Sequence, residues 1–185
     1  MTTAEIIAQA LSIVAMSIYF VSYLQKKQRA IIFFQFMATA CFSISFFMLD
    51  ATMGFLLNAV SAIRAILFVY KNKLKTDNIC WLIGFLAVYA LCYAMSFTVF
   101  EKELILKNIL IELLPVVGMV ATTFSFRAKS AKAVRIGGLI NEPAWLIYNI
   151  ISFSIGGILC NIFSLCAIIF AIMRLDKKRA NTTAE

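Results

Sequence analysis

The sequence predicts an all-α membrane protein in which seven transmembrane helices form two parallel three-helix repeats joined by a fourth helix. Three observations predict it. Of the 185 residues 63% are hydrophobic and 14% charged, at a mean hydropathy of +0.93, so a soluble fold would expose a very large apolar surface. The apolar residues gather into seven runs of bilayer-crossing length. The first three runs align with the last three at one fixed offset.

A helix crosses the hydrocarbon core with about 17–25 mainly apolar residues. Runs of that kind occupy 6–24, 30–49, 53–70, 79–100, 109–126, 136–153 and 157–173. The connections leave no room for a soluble domain, so 1–185 reads as a single integral membrane domain. The opening MTTAE has no basic n-region and the first run is long enough to span, so that helix is expected to remain uncleaved.

Charge between the runs sets the orientation. Lys26, Lys27 and Arg29 follow the first run, and Lys71, Lys73 and Lys75 the third. Arg127, Lys129, Lys132 and Arg135 follow the fifth, and Arg174, Lys177, Lys178 and Arg179 the seventh. That is 14 of the 17 basic residues on one side. The other side holds Lys102 and Lys107 among Glu101 and Glu103, with Asp50 near the second turn, and Arg64 lies inside a span. The positive-inside rule then puts the N-terminus outside and the C-terminus, with the tail 177–185, in the cytoplasm. A net charge of +8 in short clusters is a topology signal, so no nucleic-acid partner is expected.

Residues 5–73 lie on 108–176 without a gap, an offset of 103. Leucine-rich spans share apolar identities by chance. The matches that weigh most are Gly54 with Gly157, Asn58 with Asn161, and the basic loops. The run at 79–100 is the linker helix. Because it is a single helix, both copies cross the membrane in the same direction, related by a pseudo-two-fold along the membrane normal.

Polarity concentrates at 137–161, read as a helix, a turn at Gly156-Gly157 and the start of another helix. Asn141, Trp145 and Asn149 fall at i, i+4 and i+8, with Glu142 and Tyr148 beside them, so one stripe must face a bundle interior or a wet cavity. Asn58, Glu112, Asn149 and Asn161 share a depth of roughly four to six residues from the outer ends of their spans, about 6–9 Å. Turned inward, they form an outer chamber for a small hydrogen-bonding solute, with Trp145 as a further wall. The alternative is that the amides bridge helices, at about 0.6 kcal/mol apiece. Trp145 and Tyr148 stack either on a flat ligand or on neighbouring helices.

Deeper in, Arg64 and Glu142 have opposite sign and similar depth. An ion pair between them would lower the cost of both charges; otherwise Arg64 snorkels and Glu142 is protonated. Pro115 removes a backbone donor just after Glu112 and serves as a hinge or as simple packing. Chemistry on a substrate finds little support. With no histidine, the usual general base and metal ligand are missing. Cys41, Cys80, Cys92, Cys160 and Cys166 lack CxxC spacing and read as small buried hydrophobes. No enzyme, cofactor or metal is expected.

The three-plus-one-plus-three plan with an external N-terminus resembles the SWEET and PQ-loop group and the PnuC-type nicotinamide riboside transporters. IELLPVVGMVATTFSF at 111–126, FLLNAVSAIR at 55–64 and SFSIGGILCN at 152–161 resemble more closely the YgjV-type bacterial inner-membrane proteins. The PQ dipeptide is absent, its nearest equivalent being Leu114-Pro115, so no SWEET substrate carries over. The resemblance implies the bacterial inner membrane and names no activity. The expectation is therefore a small-solute transporter using alternating access, with a non-transporting scaffold or regulatory subunit as the rival. Small three-helix units also leave room for a homo-oligomer.

Overall fold

The computed structural model describes residues 3–48, 52–99, 101–151 and 155–176. The tail 177–185, Asp50 and the rest of 49–51, and 152–154 lie outside them. Eight α-helices follow one another: α1 Thr3–Tyr23, α2 Gln28–Met48, α3 Thr52–Val69, the short α4 Lys71–Leu74, α5 Ile79–Thr98, α6 Leu106–Arg127, α7 Ala131–Ile151 and α8 Ile155–Ala171. A π-helical turn, Ile172–Asp176, closes the described chain. The outer surface is apolar, with Ile13, Phe47, Ile63, Leu91 and Leu110 each more than half exposed, as bilayer contact requires.

Each of the seven expected spans falls on a long helix. Among the described residues, five helices are long and apolar enough to cross a membrane by length and composition: α1, α2, α5, α6 and α8 with its π turn. The apolar part of α3, Phe55–Val69, is shorter. In α7, the first turns and the middle are spent on polar groups. It buries Arg135, Asn141 and Glu142, and a helix with that face needs other helices around it.

That requirement makes α7 the centre. It packs on α6, α8 and α2, while α1 lies against α2 and α8, and α3 against α2 and α6. The approach of α6 to α7 depends on small residues, as helix contacts in lipid commonly do. A Cβ on Gly137 would sit 2.4 Å from that of Ser125, and one on Gly118 would sit 3.3 Å from the Asn141 Cα.

The core is thickest where the basic clusters are. Phe68 meets Phe126 edge-on at 5.8 Å and Phe85 in a stack at 6.2 Å, and Phe85 stacks in turn on Tyr89. At this basic end, cationic side chains also close the carbonyl ends of helices from other segments. Arg135, 1% exposed, donates through Nε to the Tyr23 carbonyl at 3.0 Å and through Nη2 to that of Gln25. Lys71 donates to the carbonyls of Arg127 and Ala128 at 3.2 and 3.0 Å, and Gln28 to those of Phe126 and Ala128. Positive charge there also opposes the negative pole of each helix. Arg135, expected as a loop residue, is thus an interior cap, because α7 begins five residues earlier than the apolar run at 136–153 suggests.

Two other expectations are corrected. Gly156 and Gly157 both lie inside α8, and no described glycine has a positive φ. Cys80 and Cys166 are exposed, and Cys41, Cys92 and Cys160 are half-buried with Cys92 packed against the core, all as free thiols, so two of the five face outward rather than being buried. Replacing Gly137 by alanine should lower the unfolding free energy in detergent by about 1–3 kcal/mol through overpacking. Gly84→Ala, where a Cβ meets nothing within 4 Å, should leave stability unchanged or raise it. Equal thermal midpoints for the two variants would contradict the α6–α7 contact.

Candidate functional site

Besides Arg135, three acidic or basic side chains are buried in the bundle among the described residues. The most buried carboxyl is Glu142, at mid-length of α7 and 1% exposed. A carboxyl removed from water needs hydrogen-bond partners. Oε1 accepts from the Tyr23 hydroxyl at 3.0 Å, the Tyr19 hydroxyl at 3.2 Å and the Asn141 amide at 3.0 Å. Oε2 accepts from the Asn161 amide at 2.7 Å, and the Asn161 carbonyl oxygen accepts from Asn149 at 2.8 Å. All these donors are neutral, and they come from α1, α7 and α8.

Helical spacing sets the arrangement. Tyr19 and Tyr23 stand one turn apart near the end of α1, so both hydroxyls converge on one oxygen. Asn141 and Glu142 share the buried face of α7, while Asn149, two turns on, reaches α8. A Cβ on Gly157 would lie 2.5 Å from the Asn149 side-chain amide. Glycine is what lets the two helices close over the amide pair.

The second centre is Arg64 on α3, 6% exposed. Its Nη1 donates to the Tyr89 hydroxyl at 3.0 Å and to the Met119 carbonyl at 3.1 Å, and Tyr89 is hydrogen-bonded to Thr123 at 2.7 Å. The guanidinium lies 5.4 Å from the centre of the Phe126 ring. Nε is buried and has no acceptor. The expected ion pair between Arg64 and Glu142 is therefore corrected. Similar depth did not bring the groups together, because depth along a helix says nothing about which way its face turns.

The third centre is Glu112 on α6, 6% exposed, ion-paired with Lys102 and accepting from Ser96 at 3.3 Å. Lys102 belongs to the connection between α5 and α6. Burial pulls its ammonium downward, but Glu112, by hydrogen bond and charge, and Tyr148 beside it outweigh this, and the net shift is upward. A raised value means that the contribution is fully present below the ordinary lysine range of about 10.4 and fades only as pH rises through the shifted value.

Of the residues expected to share one chamber, the structure joins Asn149 and Asn161 to each other and to Glu142. Asn58 lies half-buried on α3, outside that hydrogen-bonded set, and Glu112 has its own partners. Trp145 is half-buried against the core, its ring edge-on to Tyr148 at 5.7 Å. Pro115 is buried within α6, which runs on unbroken to Arg127. A cavity of about 230 Å³ lies elsewhere, at the basic end between α2, α3 and α4, lined in part by Arg29, Phe68, Lys71 and Lys73. Sequence reasoning missed Tyr19 and Tyr23, although their i, i+4 spacing in an apolar span was visible.

A family model described as a bacterial inner membrane protein family, Imp-YgjV, matches residues 6–179. No curated protein and no solved structure matches the chain. Leaving a buried carboxyl short of one hydrogen bond costs about 1–3 kcal/mol. Tyr23→Phe should lower the unfolding free energy by that amount. Tyr70→Phe, at a site 48% exposed, should fall within about 0.5 kcal/mol of wild type. A Tyr23→Phe protein as stable as wild type would show that the bond to Glu142 does not form.

Proposed function

Because the chain belongs to the Imp-YgjV family of bacterial inner membrane proteins, we propose that it is a small-solute carrier of that membrane, working by alternating access between two three-helix units. In this reading the units are 5–73 and 108–176, α5 links them, the N-terminus is outside and the tail 177–185 is cytoplasmic. The observation that carries the reading is the Glu142 centre. A buried charge is a poor way to hold helices together, since well-packed apolar side chains of similar volume are often as stabilising or more so. Ionisable groups inside membrane bundles are characteristically functional.

The contacts support two related units. α1 lies against α8, α3 against α6, and α2 against α7. A two-fold axis exchanging α1 with α6, α2 with α7 and α3 with α8 carries the first contact onto the second and the third onto itself. The tyrosine bonds to Glu142 cross this boundary, from α1 of one unit to α7 of the other. Parting the units there frees carboxyl lone pairs and the amides of Asn161 and Asn149 for a solute with hydrogen-bonding groups. Asn58, Glu112 and Trp145 complete the chamber walls when the units rock, and Pro115 provides the hinge in α6. The solute is carried unchanged, with no enzymatic step, metal or cofactor. Self-association into a homo-oligomer is compatible with this plan.

The test is a melting screen of purified protein against nucleosides, vitamins, sugars, amino acids and small organic acids. A solute at about 100 times its dissociation constant stabilises the folded state by about 2.7 kcal/mol. One class should shift the wild type and fail to shift Asn161→Ala. If no class shifts the wild type and Asn161→Ala merely melts earlier, the amides are helix glue and the chain is a scaffold or regulatory subunit.

A further inference from the structure

The cavity of about 230 Å³ between α2, α3 and α4 has no part in the Glu142 centre. Its floor is apolar, formed by the buried Ile32, Phe68 and Val69. Its rim is cationic. Arg29 is the second residue of α2, and Lys71 and Lys73 belong to α4, just past the end of α3. No aspartate or glutamate among the described residues lines it, and Asp77 approaches only Lys71, at 3.9 Å from outside the lining. The three cations are not equivalent. Lys71 is spent on the carbonyls of Arg127 and Ala128. Arg29 and Lys73 are exposed, and neither is hydrogen-bonded or ion-paired through its side chain to another described residue. The Arg29 guanidinium lies 5.8 Å from the centre of the Tyr70 ring, a contact that holds it at the rim and leaves its N–H donors unfilled.

Such a rim suits an anion, and its position selects the source. The cavity opens where α2 starts and α3 stops, the level at which apolar spans give way to charge and lipid headgroups lie. Its volume falls short of the roughly 300 Å³ at which pockets for whole small molecules begin. A headgroup needs less, because its acyl chains stay in the bilayer. A path for them runs from the rim: Phe33 and Met37 stand at i+4 and i+8 from Arg29 on one stripe of α2, and both are exposed. Three cations with no lining carboxylate favour a headgroup that carries no ammonium of its own. We propose that this cavity holds the phosphate and glycerol of an anionic phospholipid, its oxygens taken by Arg29 and Lys73 and its acyl chains lying along the Phe33 and Met37 stripe. From the same wall Lys71 reaches the end of α6, so the lipid rests where the two halves of the chain meet. The site does not depend on the carrier reading.

The test titrates the chain, purified in an uncharged detergent at fixed ionic strength, with dioleoyl phosphatidylglycerol and with dioleoyl phosphatidylcholine, which has the same tails. Inorganic phosphate serves as the free anion. Read from melting-temperature shifts, phosphatidylglycerol binds tenfold or more tightly than phosphatidylcholine, and phosphate at the same concentration gives no shift. Arg29→Gln with Lys73→Gln abolishes the difference between the lipids. Lys26→Gln with Lys27→Gln, which removes the same charge from exposed positions at the same end but outside the lining, keeps it. Equal binding of the two lipids, a phosphate shift as large as that of the lipid, a preference retained without Arg29 and Lys73, or equal losses in the two double variants overturns the site. Should the Arg29 and Lys73 variant fail to fold, native mass spectrometry of the wild type decides. One phosphatidylglycerol kept per chain under activation that strips phosphatidylcholine upholds the site, and no such preference overturns it.

Discussion

The structure depends on keeping one carboxyl, Glu142, out of water. Its cost is met by donors on three helices, and those donors dictate how the helices meet. Tyr19 and Tyr23 bring the end of α1 onto the middle of α7, and Asn161 brings α8 alongside. Arg135, less than two turns before Glu142 on α7, then caps the same end of α1 from below. One segment of α7 therefore fixes α1 twice, through a hydroxyl pair and through a carbonyl pair. Gly137 and Gly157 follow from the same demand, since α7 must sit close to both α6 and α8 for the polar groups to touch.

Charge is divided between the two halves of the chain. At the offset of 103, Glu142 corresponds to Thr39, whose hydroxyl donates to its own helix backbone at Gln35 and Phe36, and Arg64 corresponds to Ala167 in the core. The amides Asn58 and Asn161 correspond to each other. The second half thus carries the buried carboxyls Glu112 and Glu142 together with Arg135, and the first half the buried Arg64. Glu142 and Arg64 are not paired: Glu142 is satisfied by neutral donors, while Arg64 keeps a buried Nε–H without an acceptor.

Much of this was legible in the sequence because lipid leaves few choices. Each apolar run falls on a long helix, and Asn141 and Glu142 of the polar stripe are buried as a face that avoids lipid must be, although Glu142 meets Asn161 rather than Arg64. What failed were statements about direction around a helix axis. Arg64 and Glu142 matched in depth but face different neighbours. The Gly156-Gly157 pair looked like a turn because glycine is a helix breaker in water, whereas in lipid it also serves as the small residue of a close helix contact. Arg135 looked like a topology charge because its partners are backbone carbonyls, which no sequence pattern displays. Tyr19 and Tyr23 passed as ordinary core aromatics, since a hydroxyl reveals its role only once its acceptor is located.

The central claim is that the Glu142 carboxyl is kept for function rather than for the fold. Glu142→Gln separates the two, because the carboxamide has the same shape and the amides can adapt. If Asn161 and Asn149 each turn their side chain over, every hydrogen bond of the centre is retained and only the charge is lost. Measured together, the unfolding midpoint and the solute-induced shift of Glu142→Gln should show stability within about 1 kcal/mol of wild type and a lost solute response. A variant that unfolds several kcal/mol more easily, or that responds to solute as wild type does, would contradict the account.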